Sequence, residues 1–85
     1  MPTTAAKTVD VRGMQCAQAL AQASQAMRQL DRGEVLELIC NASDVRDDLM
    51  TWAKELSHEL VSTHVRNKDT WLQIRRGPHR VHGVP

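Results

Sequence analysis

One stretch decides the fold of this 85-residue chain: Val35-Leu36-Glu37-Leu38-Ile39-Cys40. It is almost continuously apolar, and its length and flanking turn residues are typical of a central strand buried on both faces or nearly so. Gly33, just before it, suits the left-handed backbone that ends a helix. The stretch therefore predicts a strand in the middle of a sheet, preceded by a helix.

The region upstream of this strand reads as a strand followed by a helix. Residues 8–12 form a short β-prone run with Val9 and Val11 on one side, and Gly13 ends it. Residues 16–30 are rich in strong helix formers. Their apolar side chains recur at helical spacing and form one stripe: Leu20, Ala23, Met27 and Leu30. We expect a β-α-β unit whose two strands run parallel.

The region downstream predicts a second helix and a hairpin. Residues 41–44 are a turn and cap cluster, in which Ser43 or Asp44 is expected to accept bonds from the free N–H groups of the next helix. The second apolar stripe follows, with Trp52 beside it: Val45, Leu49, Ala53 and Leu56. Residues 60–65 and 70–75 read as strands joined by a turn at 67–69.

These elements predict an α+β fold in the order β-α-β-α-β-β. Right-handed crossovers place both helices on one face of a four-stranded mixed sheet, which makes a two-layer α/β sandwich. We expect a single domain over residues 8–76, with flexible tails at 1–7 and 77–85.

Composition and charge narrow the function classes. No apolar run approaches the roughly 18–20 residues that span a bilayer, and the first residues lack the apolar core of a signal peptide. Two cysteines make no disulfide framework of the secreted kind, so we expect a cytoplasmic protein without membrane contact. The net charge of +1 offers no global field for nucleic acid.

Cys16 is the strongest candidate for chemistry. It falls just past the first strand, at the expected N-cap of the first helix, where open sheets place ligands and where helix N–H groups lack partners. A thiolate there is stabilised, which lowers the pKa of the thiol and improves the nucleophile. The alternative is a residue that only caps the helix or fills space.

A family resemblance adds to this interpretation. The stretch from Val9 to Cys16, with Asp10, Arg12, Gly13 and Met14 inside it, resembles the opening Asp-x-x-Gly-Leu-x-Cys of the TusA/SirA sulfur carriers. Further similar stretches follow in the family's order: Leu30-Asp31-Arg32-Gly33-Glu34, Asp48-Leu49-Met50-Thr51-Trp52, Ser57-His58-Glu59-Leu60-Val61 and Leu72-Gln73-Ile74-Arg75. Two positions depart from it. The family's Cys-Pro-x-Pro is Cys16-Ala17-Gln18-Ala19 here, and its Asp-Pro after the second strand is Ala42-Ser43.

The resemblance implies a sulfur carrier. Cys16 would accept sulfane sulfur as a persulfide from a desulfurase or rhodanese-like donor and pass it to an acceptor protein, with no cofactor and no metal. Its neighbours Asp10, Arg12, Gly13, Met14, Ala17, Ala19 and Asp48 would support the thiol or contact partners. Alanines at 17 and 19 restore two backbone N–H groups, and we expect the one at Ala19 to keep Cys16 acidic. We expect a monomer.

The sequence also allows other interpretations of Cys40 and of the function. Cys40 ends the second strand on the same sheet edge and is either core filler or a thiol that resolves a Cys16 persulfide. A module of this fold that has lost sulfur carriage is one alternative function. Weak RNA binding by a basic hairpin around Trp71 is another, and it draws on Arg66, Lys68, Arg75, Arg76 and Arg80. His79 and His82 stand in the expected tail, where we expect no specific metal binding.

Overall fold

The computed structural model describes residues 5–77. Six elements follow one another along the chain: β1 (Lys7–Asp10), α1 (Cys16–Arg28), β2 (Val35–Cys40), α2 (Ser43–Glu55), β3 (Glu59–Arg66) and β4 (Asp69–Arg75). The predicted order β-α-β-α-β-β is confirmed. The tails expected at both termini lie largely outside the described residues, as do Arg80, His79 and His82.

The four strands form one mixed sheet in the order β1-β2-β4-β3. β1 runs parallel to β2, with Val9 opposite Leu38, and β4 runs antiparallel to both β2 and β3. The apolar stretch of residues 35–40 is therefore an interior strand, paired on both edges. The predicted α+β fold with a four-stranded mixed sheet and two helices is confirmed.

The core lies between the sheet and the two helices. α1 buries three alanines and Met27, and the small alanine side chains let its backbone approach the strands closely. α2 buries Val45, Leu49 and Ala53. The sheet contributes Leu36, Leu38, Leu72 and Ile74, all fully buried. Alternation along β2 and β4 sends these side chains to the helix-covered face.

The opposite face of the sheet is polar at its centre. Hydrogen bonds run across all four strands: Thr8 Oγ1 donates to Glu37 Oε1 (3.2 Å), Gln73 Nε2 donates to Glu37 Oε2 (3.3 Å), and Ser62 Oγ donates to Gln73 Oε1 (2.9 Å). Neighbouring strands hold these four residues opposite one another. These four polar side chains therefore bond to one another across the sheet.

The ends of the helices differ from the sequence-based expectation. α1 ends at Arg28, so the buried Leu30 reaches the core from the following turn. The left-handed glycine, Gly33 (φ +92°), lies in the turn that enters β2 rather than directly behind the helix. Leu56, expected on the buried stripe of α2, is 52% exposed because the helix ends one residue before it.

The start of α2 also differs. Its N-cap is Ala42, which has no side-chain cap bond, and Ser43 is already the first helical residue. Asp44 does accept a bond from the helix, because its Oδ1 lies 2.9 Å from the backbone nitrogen of Val45. At the N-terminus of the domain, β1 begins at Lys7, and the Ala6 amide already donates to Val35 (2.8 Å). Within residues 5–77, no helix is long and apolar enough to cross a membrane.

Candidate functional site around Cys16

The site lies at the sheet edge where β1 and β2 end. Because the two strands are parallel, the loops that leave them meet at this edge, and each loop leads into a helix. Cys16 is the first residue of α1, and its side chain is half-buried. The N-cap is Gln15, so the expectation that Cys16 itself caps the helix is wrong by one residue. The sulfur still lies at the N-terminus of the helix and within reach of solvent.

The loop before Cys16 is braced by Arg12. Its guanidinium contacts Asp10 at 2.7 Å and Asp69, at the start of β4, at 2.9 Å. Hydrogen bonds from the Arg12 side chain and backbone lower the pKa of Asp10 to about 2. The predicted residues Asp10 and Arg12 therefore act together. They fix the loop and do not touch the thiol in any bond that the structure shows.

Gly13 ties this loop to its neighbour. Its φ of +78° is in the left-handed region, which glycine tolerates at no steric cost. Its amide donates to Asn41 Oδ1 (3.2 Å), directly after β2, and the amide of Met14 bonds back to Val11 (3.2 Å). The half-buried Met14 packs against the core. The strand-to-helix turn is thus a fixed platform for Cys16.

The two alanines that replace the family's prolines have different surroundings. Ala17 is exposed next to Cys16, on the first turn of α1. Ala19 is fully buried, and its amide donates to the Gln15 carbonyl at 2.9 Å. The prediction that the Ala19 N–H serves the thiol is therefore wrong, because regular helical bonding already uses that donor.

Two carboxylates from α2 lie against the sulfur. Cys16 Sγ is 3.7 Å from Asp44 Oδ2, and Asp48, one helical turn further along the same helix, also acts on the pKa of the thiol. Both acids are exposed. The bond to Asp48, partial desolvation and the negative charges of both acids raise the pKa of Cys16 to about 11. The prediction of an acidic Cys16 is therefore wrong for the isolated chain.

The sign of this shift follows from the charges present. A helix N-terminus carries roughly half a positive elementary charge, which favours a thiolate. Asp44 and Asp48 bring two full negative charges close to the same sulfur, and they disfavour it. The first turn of α1 holds no acid of its own, so the opposing charge comes from the second helix. Cys16 is consequently a reachable thiol that is protonated at neutral pH.

Asp44 is a neighbour of the Cys16 thiol that the sequence alone does not predict. It was expected to cap α2, and Asp48 was expected to contact partners. The parallel β1 and β2 bring the starts of both helices to one edge, and this puts the two acids beside Cys16. The sequence carries a signal for this contact. Because β1 and β2 are parallel, the helices that follow them begin at the same sheet edge, and the first turn of α2 is acidic.

Cys40 lies at the end of β2 but on the inside. Its side chain is fully buried in the core, and burial raises the pKa of its thiol. Both cysteines are free thiols. The filler role fits this position directly, whereas a resolving role requires Cys40 to leave the core. Within the described part of the chain, no three His, Cys, Asp or Glu side chains are grouped to hold a metal ion.

The basic hairpin is not assembled as one patch. Arg75 pairs with Glu59 at 2.7 Å, on the neighbouring strand β3. Arg76 donates to the backbone carbonyls of Met27 and Leu30, just behind α1. The ring of Trp71 contacts His64, with centroids 5.9 Å apart. Two of the expected RNA-binding arginines therefore have structural partners.

The fold and the position of Cys16 define a class: small two-layer α/β domains that carry a cysteine where the first strand passes into the first helix. Comparison with known proteins agrees with this class. The family model described as sulfurtransferase TusA matches residues 7–76. The chain therefore belongs to the TusA family.

Individual relatives support this placement. A protein of Archaeoglobus fulgidus, named as a candidate sulfur carrier, is 32% identical over 63 residues, which are 74% of this chain and 85% of the relative. YrkI of Bacillus subtilis, named in the same way, is 29% identical over 55 residues, or 65% of this chain and 73% of YrkI. The family and these names indicate a sulfur carrier protein, which implies protein partners for the transfer of sulfur.

A solved structure is similar in fold. The crystal structure of a SirA-like protein from Desulfitobacterium hafniense superposes with a TM-score of 0.74 at 20% identity, and the match covers 84% of this chain and 97% of that one. At this identity the likeness concerns the fold. It supports the arrangement of two helices on a four-stranded mixed sheet.

Proposed function

We propose that this protein carries sulfane sulfur as a persulfide on Cys16. The observation that carries the proposal is the position of this thiol: it is half-buried and reachable, at the first residue of α1, directly after a loop fixed by Arg12 and Gly13. Membership of the TusA family supports the same residue. The other cysteine, Cys40, is fully buried and offers no comparable access.

The transfer is an exchange of sulfur–sulfur bonds. Cys16 Sγ, as thiolate, attacks the outer sulfur of a persulfide on the donor, and a new S–S bond forms on Cys16 while the donor's S–S bond breaks. The donor leaves as a thiolate and takes up the proton that Cys16 gave up. The acceptor's thiolate then attacks the outer sulfur on Cys16 in the same way. No external oxidant or reductant is consumed.

This chemistry needs little beyond the thiol and a docking surface. The chain requires no substrate pocket, because the donor and acceptor proteins each bring their own active site. We propose a desulfurase or rhodanese-like protein as donor, a protein acceptor, no cofactor, and action as a monomer. The relay belongs in the cytoplasm, where reducing conditions keep the Cys16 thiol free for exchange.

The test is persulfide formation on the intact chain. Incubation with a sulfane sulfur donor should add the mass of one sulfur atom, which reductant removes and which Cys16→Ala abolishes. Cys40→Ala is the matched control and should keep the added mass, since Cys40 is buried. If Cys16→Ala gains sulfur as the wild type does, or if neither protein gains any from protein or small-molecule donors, the proposal is wrong.

The second candidate is an interaction module that has lost sulfur carriage. The observation that favours it is the protonated state of Cys16 beside Asp44 and Asp48, which makes the isolated thiol a poor nucleophile. The same experiment separates the two candidates. A wild-type chain that gains no sulfur from protein or small-molecule donors would favour the module.

A further inference from the structure

Two carboxylates lie beside Cys16, although a sulfur carrier needs this sulfur as a thiolate. Negative charge next to the sulfur opposes the formation of that thiolate. Asp44 Oδ2 lies 3.7 Å from Sγ, and Asp48 follows on the same face of α2. Asp44 belongs to the first turn of α2, and Asp48 lies one turn further along. The thiol therefore faces two carboxylates.

The cations of this region are engaged elsewhere. Arg12, the nearest in sequence to Cys16, binds Asp10 and Asp69. Arg46 binds Asp47, the third acid of the α2 start, at 3.2 Å. Among the ion pairs of residues 5–77, none includes Asp44 or Asp48. The two acids at the sulfur thus lack a cationic partner within the described chain, while the acid one position away has one.

We propose that Asp44 and Asp48 are positioning residues that retain the proton on Cys16 until a sulfur donor places a cationic group, such as a Lys or Arg side chain beside its persulfide, against them. This inference rests on the proposed function and names the kind of partner. A cation next to the carboxylates cancels the field that opposes the thiolate. Anionic small-molecule persulfides meet the opposite effect and are repelled.

The consequence is selectivity without a pocket. In the free chain Cys16 is a neutral thiol, which is a weak nucleophile and is slow to oxidise. On docking of a cationic donor surface, the thiolate forms where the persulfide is present. Its proton passes to the departing donor thiolate, so the bond exchange described above stays balanced. A protein donor with the matching charge is thereby preferred over anionic sulfur compounds in solution.

Charged disulfides test this selectivity without any sulfur carriage. The probes are cystamine, which bears two ammonium groups, and dithiodiacetate, which bears two carboxylates, each incubated with the full chain at low salt. The rate of mixed-disulfide formation on Cys16 is followed by mass. For each probe, the rate with Cys16 is divided by the rate with a free cysteine peptide. We expect this relative rate to be more than about tenfold larger for cystamine than for dithiodiacetate, and we expect salt to reduce this preference.

Single substitutions locate the effect. Asp48→Asn and Asp44→Asn keep the side-chain shape and should each reduce the preference for cystamine. Asp47→Asn is the matched control on the same turn and should leave the preference unchanged, because its carboxylate faces Arg46. Alkylation of Cys16 against pH gives an independent readout. Its midpoint near pH 11 in the wild type should fall by about one unit or more in Asp48→Asn.

The outcomes separate this inference from the proposed function. Equal relative rates for the two disulfides, or an Asp47→Asn effect as large as that of Asp48→Asn, overturn the inference even if a Cys16 persulfide forms. A clear preference for cystamine that depends on Asp44 and Asp48 supports it. If that preference holds but no donor yields a persulfide, the proposed function is overturned. The proposal that the cationic partner is a sulfur donor is then overturned as well. Far-UV circular dichroism confirms that each variant is folded.

Discussion

The two cysteines of this chain both lie near the ends of parallel strands, but one is buried and the other is reachable. Cys16 follows β1 and Cys40 ends β2, and these parallel strands finish at the same sheet edge. Cys40 shares the helix-covered face with Leu36 and Leu38 and is fully buried. Cys16 lies beyond a glycine turn, at the start of a helix, and is half-buried. Strand parity buries one thiol, and a fixed turn presents the other.

The pKa of each thiol is raised, but for different reasons. Burial raises the pKa of Cys40, and no partner can relieve this without opening the core. Exposed carboxylates raise the pKa of Cys16, and an approaching cation can relieve that within the native state. Only one of the two thiols can therefore be switched on by another protein.

The largest expected effect that tests this contrast is the difference in alkylation rate. With a small neutral reagent at pH 8, we expect Cys16 to react about twentyfold or more faster than Cys40. Opening the core at a cost of about 5 kcal/mol leaves only about one molecule in several thousand reactive at Cys40. The small thiolate fraction of Cys16 at pH 8 reduces the ratio without reversing it. Peptide mapping after timed quenching gives both rates.

A denaturant series provides the control for this measurement. Cys40 should become reactive in step with global unfolding, whereas Cys16 should react before the transition begins. Equal rates at the two positions under native conditions would contradict the buried placement of Cys40. In that case a resolving role for Cys40 would gain direct support.

Stability to denaturant is the second way to test the contrast. Cys40→Ser puts a hydroxyl among apolar core residues, and we expect it to lower the free energy of unfolding by about 1–3 kcal/mol. Cys16→Ser changes a half-buried position at a helix start, and we expect a change within about 0.5 kcal/mol. Urea unfolding followed by circular dichroism measures both.

Cys40→Ala separates polarity from volume in this experiment. It should cost less than Cys40→Ser, because it leaves no unsatisfied hydroxyl in the core. If the two serine variants are equally stable, Cys40 does not contribute to packing as the structure indicates.

Much of the fold followed from the pattern of side chains. The apolar run of β2 and the alanine-rich stripe of α1 leave few alternative folds, because both sets of side chains must be buried in the folded protein. The hairpin of β3 and β4 followed from two apolar runs and a turn. Errors concentrated at helix ends, where Ala42, Gln15 and Leu56 take positions that local preference assigns to other residues.

The electrostatics of the site were harder to predict, since they depend on contacts across the chain. Cys16 and Asp44 are 28 positions apart, and only the parallel pairing of β1 and β2 brings them together. A helix N-terminus alone predicts an acidic thiol at Cys16. The neighbouring helix start reverses it with two charges that no local motif records.

The smallest expected effect concerns the link between the two regions. Asn41 directly follows Cys40, and its Oδ1 accepts the Gly13 amide at 3.2 Å, which joins the end of the buried strand to the loop that presents Cys16. Asn41→Ala should accelerate hydrogen exchange at the Gly13 amide by up to about tenfold, because an exposed bond of this kind contributes about 0.5–1.5 kcal/mol. Amide exchange by NMR measures it directly.

Ser43→Ala is the control for this prediction, since Ser43 is an exposed polar residue of the same segment and makes no side-chain cap bond. Protection of the amides around Cys40 should be the same in both variants, because the core does not depend on the Asn41 side chain. If Asn41→Ala also lowers the protection of the amides around Cys40, the two thiols belong to one cooperative unit. Docking of a partner at Cys16 would then also affect the core. If only Gly13 responds, the turn that presents Cys16 moves independently of the sheet beneath it, and a partner can adjust the sulfur without disturbing the fold.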